Sequence, residues 1–239
     1  MSDSESSDTK PDLLFYGSPL SPFLRKAAAV AIEKGADFDV EPVDIFNMPD
    51  WFLAISPMRR IPVLRDRSIA EEGTGGTIAD SSAICAYIER KHSQPPLYCE
   101  DAFAHGRALA IEEYADTALA MACGMGIFRP IFFARMQGQE PDLDKARATW
   151  REDMPPILQR LEDMLDGRDW FAGSAISIAD IAVTAVLMQI DLVADYALDD
   201  ATALAAHQKR VRQRPSIAQP FEGAERFVRK ALPERFDLT

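Results

Sequence analysis

Apolar residues fall in two different rhythms along this chain. Residues 13–16 (LLFY) form an unbroken apolar run that stops at Gly17, the pattern of a buried strand. Ser21-Pro22 then opens a run of good helix formers over 22–34, with Gly35 as its stop. Residues 38–43 alternate loosely and read as a second strand, which suggests a βαβ unit with a parallel pair. Residues 47–55 fit a short, irregular helix. Residues 62–64 make a short strand, and 77–78 its hairpin partner, around a charged, Gly-rich tip at 65–76 (RDRSIAEEGTGG). Asp80 or Ser81 caps a helix running to about residue 91.

The rhythm changes after SQPPLYCE (93–100), a linker signal. Beyond it no strand pattern emerges. Long helical stretches cover 103–137, 144–165, 177–196 and 202–214, and Pro130 should kink or divide the first. The expected organisation is a disordered tail (1–11), a small α/β domain (12–92), a linker (93–102) and an all-helical domain (103–239).

Composition narrows the function. The chain has 239 residues, 47% hydrophobic and 27% charged, enough for two small domains with real cores. A net charge of −12 argues against nucleic acid and against an anionic membrane surface. No apolar run reaches bilayer-spanning length, and the N-terminus (MSDSESSDTK) lacks the apolar core of a secretory signal. The three cysteines have no metal-ligand spacing and fit small core positions, so no metal site is expected and the location is a reducing cytoplasm. His92, His105 and His207 lie far apart and read as surface or helix-end residues.

Several positions carry possible chemistry. Ser21 lies where a strand ends and a helix begins, and the partial positive charge of that helix start suits an anion such as a thiolate. Ile61-Pro62 opens a strand. A cis bond there would free the Ile61 N–H and C=O for an extended ligand, although base rates favour trans, since only about 5% of X–Pro bonds are cis. At Asp80-Ser81, an acid beside a hydroxyl at a helix start suits a free α-amino acid head; on this motif alone a structural cap is favoured. Ser177-x-x-Asp180 has the form of a capping box and reads as structural. Met121, Met125, Phe128 and Phe132 share helical spacing. Most such residues are core, and some could line an adaptable apolar pocket between the domains. Arg59-Arg60 is a basic step that could meet a carboxylate or simply be solvated.

The order and spacing of these signals matter more than any one of them. Through YGSPLSPFLRK, SPMRRIPVL, IADSSAICAYIE and WFAGSAISIADIAV, the sequence resembles cytosolic glutathione S-transferases over nearly all of residues 12–230. The resemblance implies a thioredoxin-like N-terminal domain, an all-α C-terminal domain, a homodimer in the cytoplasm, and glutathione as co-substrate. It makes Pro62 cis. It assigns the Ile61 backbone to the cysteinyl part of glutathione, Asp80 and Ser81 to the γ-glutamyl ends, and Arg60 to the glycine carboxylate. It selects Ser21 as the activating hydroxyl, with Ser18 as runner-up. The implied activity is conjugation of glutathione to apolar electrophiles for detoxification. Dehalogenation, ether cleavage, isomerisation, peroxide reduction or a non-catalytic binding role are the alternatives on the same fold. Two departures stand out: Arg59-Arg60 replaces the usual Gly-Lys step, and the 65–76 hairpin is longer than usual, long enough to alter a dimer contact or cover the site.

Overall fold

The computed structural model describes residues 10–239, so residues 1–9 of the expected disordered tail lie outside the described residues. Strand β1 (Leu13–Gly17) is buried at all five positions, which is why its sequence is apolar without alternation. It pairs in parallel with β2 (Phe38–Pro42) across helix α1 (Pro22–Glu33), and antiparallel with β3 (Val63–Asp66). β3 in turn pairs antiparallel with β4 (Thr77–Ala79), giving the order β2-β1-β3-β4. Alternation along β1 splits the core. Leu13 and Phe15 join α1 and α3 (Ser81–Lys91) on one face, while Leu14 and Tyr16 pack with Phe52 and Ile55 of α2 (Asp50–Ile55) on the other.

Strand direction decides where chemistry can gather. Tyr16 faces Val63 and Val63 faces Ala79, so β1 ends, β3 begins and β4 ends at one edge of the sheet. The 18–21 loop, Ile61-Pro62 and Asp80-Ser81 all leave from that edge. The 65–76 hairpin turns at the opposite edge, so it cannot cover the site. Nor are Arg65 and Asp66 part of a solvated tip: both are buried strand residues. The Arg65 guanidinium gathers the hairpin inward, donating to the carbonyls of Ala70, Gly73 and Gly75 at 3.2, 2.6 and 3.0 Å. Gly76 closes the loop at φ +63°, where a Cβ would lie 2.8 Å from the Asp66 carbonyl oxygen.

After α3 the chain is almost entirely helical. Helix α4 (Ala102–Tyr114) continues through π-type turns at Ala115–Leu119 and Met121–Phe133 into α5 (Ala134–Met136). Together they form one rod, Ala102–Met136, that is long and apolar enough to cross a bilayer by length and composition. This corrects the expectation that no such run exists. Its Ala108, Ile111, Ala115 and Leu119 face the protein core. Pro130 does not divide the rod: the π-type turns around it already forgo the regular i→i−4 ladder that proline disrupts.

Helix α6 (Leu143–Ala148) passes through a π-type turn at Thr149–Asp153 into α7 (Met154–Leu165). Then come α8 (Ile178–Asp191), α9 (Ala203–Arg212) and α10 (Pro215–Ala231). α8 is the axis of this lobe, buried from Ile178 through Ile190. Its start is held as the sequence implies: the Asp180 carboxylate accepts from the Ser177 N–H at 2.8 Å and also from the Phe171 N–H at 2.9 Å. His207 is a correction. It lies fully buried in α9, its Nε2 2.7 Å from Asp180. The two-residue strands β5 (Ala194–Asp195) and β6 (Phe236–Asp237), paired in parallel, correct the expectation of no strand here. They are too short to carry any periodicity.

Candidate active site

Ser21 is the N-cap of α1. Its Oγ accepts from the Leu24 N–H at 3.4 Å, and Pro22 occupies the first helical turn. Capping uses an oxygen lone pair, so the hydroxyl proton stays available for donation. Ser18 is similar: its Oγ accepts from the Leu20 N–H at 3.3 Å, and its carbonyl takes the Ser21 N–H at 2.9 Å. Tyr16 is committed elsewhere, its hydroxyl accepting from Arg65 Nε at 3.2 Å and its ring packed against Trp51.

Gly17 brings the next element close. A Cβ there would lie 3.5 Å from the Ile61 Cβ and 3.6 Å from the Pro62 Cα. The Ile61–Pro62 bond is cis, and β3 starts only at Val63, so the Ile61 peptide lies beyond the sheet ladder. Asp80 caps α3 from an unusual backbone position, φ +84°, with its carboxylate accepting from the Ser82 N–H at 3.0 Å. Ser81, at the first turn of α3, is buried. Arg60 comes within 3.9 Å of Asp80, and both side chains are more than half exposed. A half-exposed carboxylate, a cation, two helix starts and an uncommitted peptide therefore share one edge. Such a set can hold the amino, carboxylate and amide groups of a small peptide.

The proposed apolar wall is only partly assembled. Met121 and Met125 are exposed, whereas Phe128 and Phe132 are buried and stacked on each other at 5.2 Å. These four do not line one pocket. Their 3.6-residue spacing fails because i→i+5 turns put an extra residue in each ring, rotating 128 and 132 inward. One aromatic contact between the two lobes is Phe46, on the loop after β2, packed edge-on against Phe133 at 5.3 Å. Two cavities of about 400 Å³ lie away from this edge, one beside Leu13 and Phe38 and one beside Leu143 and Phe236.

Sequence reasoning missed two buried cations on α1. Arg25 reaches Pro19, Leu20, Ala185 and Gln189. Lys26 bridges Glu112 at 2.9 Å and Asp116 at 2.5 Å, and also meets Ser82. Nothing in the local sequence marks them apart from other basic residues on a helix; the only signal is their place one turn after Ser21. The thiols of Cys85 and Cys123 are pushed up by burial, which keeps them protonated and unreactive. Among the described residues, no group of three or more His, Cys, Asp or Glu is placed to hold a metal.

Residues 15–96 match the family model for the glutathione S-transferase N-terminal domain, and residues 127–221 match that for the C-terminal domain. FtsZ-localized protein A of Caulobacter vibrioides is 27% identical over 198 residues, covering 82% of this chain and 85% of its own. Glutathione S-transferase theta-3 of Mus musculus is 26% identical over 224 residues, covering 92% and 89%. Among solved structures, FzlA from C. crescentus superposes with a TM-score of 0.77 at 26% identity, over 87% of this chain and 91% of that one. Apo human glutathione S-transferase T1-1 gives 0.77 at 24% identity over 93% and 92%, a likeness of fold alone.

Proposed function

The chain belongs to the glutathione S-transferase family, and from that premise we propose that it conjugates the glutathione thiolate to electrophilic apolar small molecules. One observation carries this reading: a donor-competent Ser21 hydroxyl at the start of α1 leaves the sheet at the same edge as Ile61-Pro62 and Asp80-Ser81. In this reading Asp80 pairs with the γ-glutamyl ammonium, and Ser81 and the α3 start hold its carboxylate. The Ile61 peptide pairs with the cysteinyl unit, and Arg60 meets the glycine carboxylate. That places the thiol beside Ser21.

A free thiol, with a pKa near about 8.5, is only a few per cent ionised at neutral pH. The Ser21 O–H donates to the sulfur anion and the helix start adds its partial positive charge, so the thiol gives up its proton to solvent more readily. The sulfur lone pair then attacks an electrophilic carbon, forming a C–S bond as the leaving group departs or a double bond opens. Serine is a donor here, never a base. The second substrate sits against the helical lobe near Phe46 and Phe133. We also assign the protein to the cytoplasm, as a homodimer.

Ser21→Ala tests the reading. It should lower kcat/KM about 10²-fold, as expected for one lost preorganised donor, with glutathione binding by calorimetry largely kept. Full activity in Ser21→Ala together with loss in Ser18→Ala moves the role to Ser18. The same thiolate could instead serve dehalogenation, ether cleavage, isomerisation or peroxide reduction.

The similarity to FtsZ-localized protein A favours a second reading, in which the fold is a non-catalytic binding module. Immobilised glutathione and a panel of aryl halides, epoxides and enones separate the two. Retention without turnover supports the module, and turnover supports the transferase.

A further inference from the structure

Arg25 lies one helical turn after Ser21 on α1, and only 4% of it is exposed. One arm of its guanidinium donates to the carbonyls of Pro19 and Leu20, at 3.1 Å each. The other arm donates to the Ala185 carbonyl at 3.1 Å and the Gln189 side-chain oxygen at 2.7 Å, both on α8. Buried charges normally meet an opposite charge or leave the interior. The four oxygens that this one contacts are all neutral, and among the described residues no carboxylate is a hydrogen-bond partner of it. Burial lowers its pKa to about 9 while the Asp191 charge opposes that shift, and at neutral pH it remains a cation. Only a planar fork of five donors fits acceptors on two sides at once, which lysine's single ammonium cannot reproduce.

The acceptors on the first side are the two peptides just before Ser21. Ser21's own cap bond is long, at 3.4 Å, so the loop rather than the cap fixes where its hydroxyl lies. We propose that Arg25 is the positioning residue for the Ser21 hydroxyl, tying the 18–21 loop to α8 and making thiol activation in one lobe depend on a helix of the other. This rests on Ser21 being the donor to the thiolate. A clamp with a purely structural role would lower the unfolding temperature and leave the ionisation of bound glutathione untouched.

The experiment titrates the ultraviolet absorbance of the thiolate of bound glutathione against pH, a readout that needs no turnover. It compares the full chain with Arg25→Lys, Gln189→Ala and Ser21→Ala, each checked by thermal unfolding. Arg25→Lys should raise the apparent pKa of the bound thiol by about one unit, which leaves roughly tenfold less thiolate at a pH below both values, with glutathione affinity within about twofold. Gln189→Ala, which removes one of the four acceptors, should raise it by a smaller amount. Folded variants with the parent titration overturn the positioning role. If Arg25→Lys does not fold, Gln189→Ala alone decides. A parent-like titration in Ser21→Ala, or no glutathione binding by the parent, overturns the serine reading underneath. A shifted Ser21→Ala beside unshifted Arg25→Lys and Gln189→Ala overturns only the inference.

Discussion

Two aspartates mark opposite ends of the β3–β4 hairpin, and they live in opposite worlds. Asp66, at the closed end, is almost fully buried. Its carboxylate accepts from the Ser68 N–H at 2.9 Å, the Ser68 hydroxyl at 2.5 Å and the Tyr87 hydroxyl at 2.5 Å, and it pairs with Lys91. Burial pushes its pKa up, but these donors outweigh that and hold it at about 2. Asp80, at the open end, has one backbone donor, a loose Arg60 at 3.9 Å and a strained φ of +84°. The same residue type is saturated where it holds the fold and underfilled where a ligand is expected. Cations divide in the same way: Lys26 sits between two carboxylates inside, and Arg60 reaches one outside. Strain retained at an exposed, half-satisfied group is a mark of function rather than of stability.

The contrast should survive substitution. Lys26→Met strands Glu112 and Asp116 in the interior and should cost about 3–5 kcal/mol in urea denaturation, whereas Arg60→Met should cost under about 1 kcal/mol. Equal costs would break the comparison. Next in size is acid. Because the folded pKa of Asp66 lies below its ordinary 3.8, its stabilisation is fully present above that value and is lost as pH falls toward about 2. Asp66→Asn should therefore be less stable by about 1–2 kcal/mol at pH 6, and the gap to the parent should close on acidification. A gap that persists at pH 2 would assign the loss to packing instead. The smallest effect is the most diagnostic. Asp80→Gly relaxes the backbone and should leave stability unchanged or raised by up to about 1 kcal/mol, while glutathione affinity falls about tenfold. Stability and affinity falling together would place Asp80 with Asp66, as a structural group.

What the sequence disclosed follows the same division. Ser21-Pro22, Ile61-Pro62, Asp80-Ser81 and Ser177-x-x-Asp180 are legible because each fixes its own backbone within two to four residues: a cap, a strand start, a helix entry. Arg25, Lys26 and His207 were opaque because their burial depends on helices 80 or more residues away, or, for His207, on a partner 27 residues back. The apolar wall failed for another reason: a π-type ladder replaced the 3.6-residue period that the pattern assumed. Helix α10, Pro215–Ala231, lies beyond the helical stretches expected from the sequence, the last of which ends at 214.

The rod from Ala102 to Met136 has one further consequence. In its first half, Glu112 and Asp116 grip Lys26; near its far end, Phe133 meets Phe46. A continuous helix joins those points, so a rigid tilt of it would act over an arm on the order of 20 Å. A tilt of about 5° at the grip sweeps the far aromatic ring through about 2 Å, close to the width of a methyl group. Under the proposed function, the opening beside Phe46 and Phe133 would then depend partly on the remote ion pairs of Lys26.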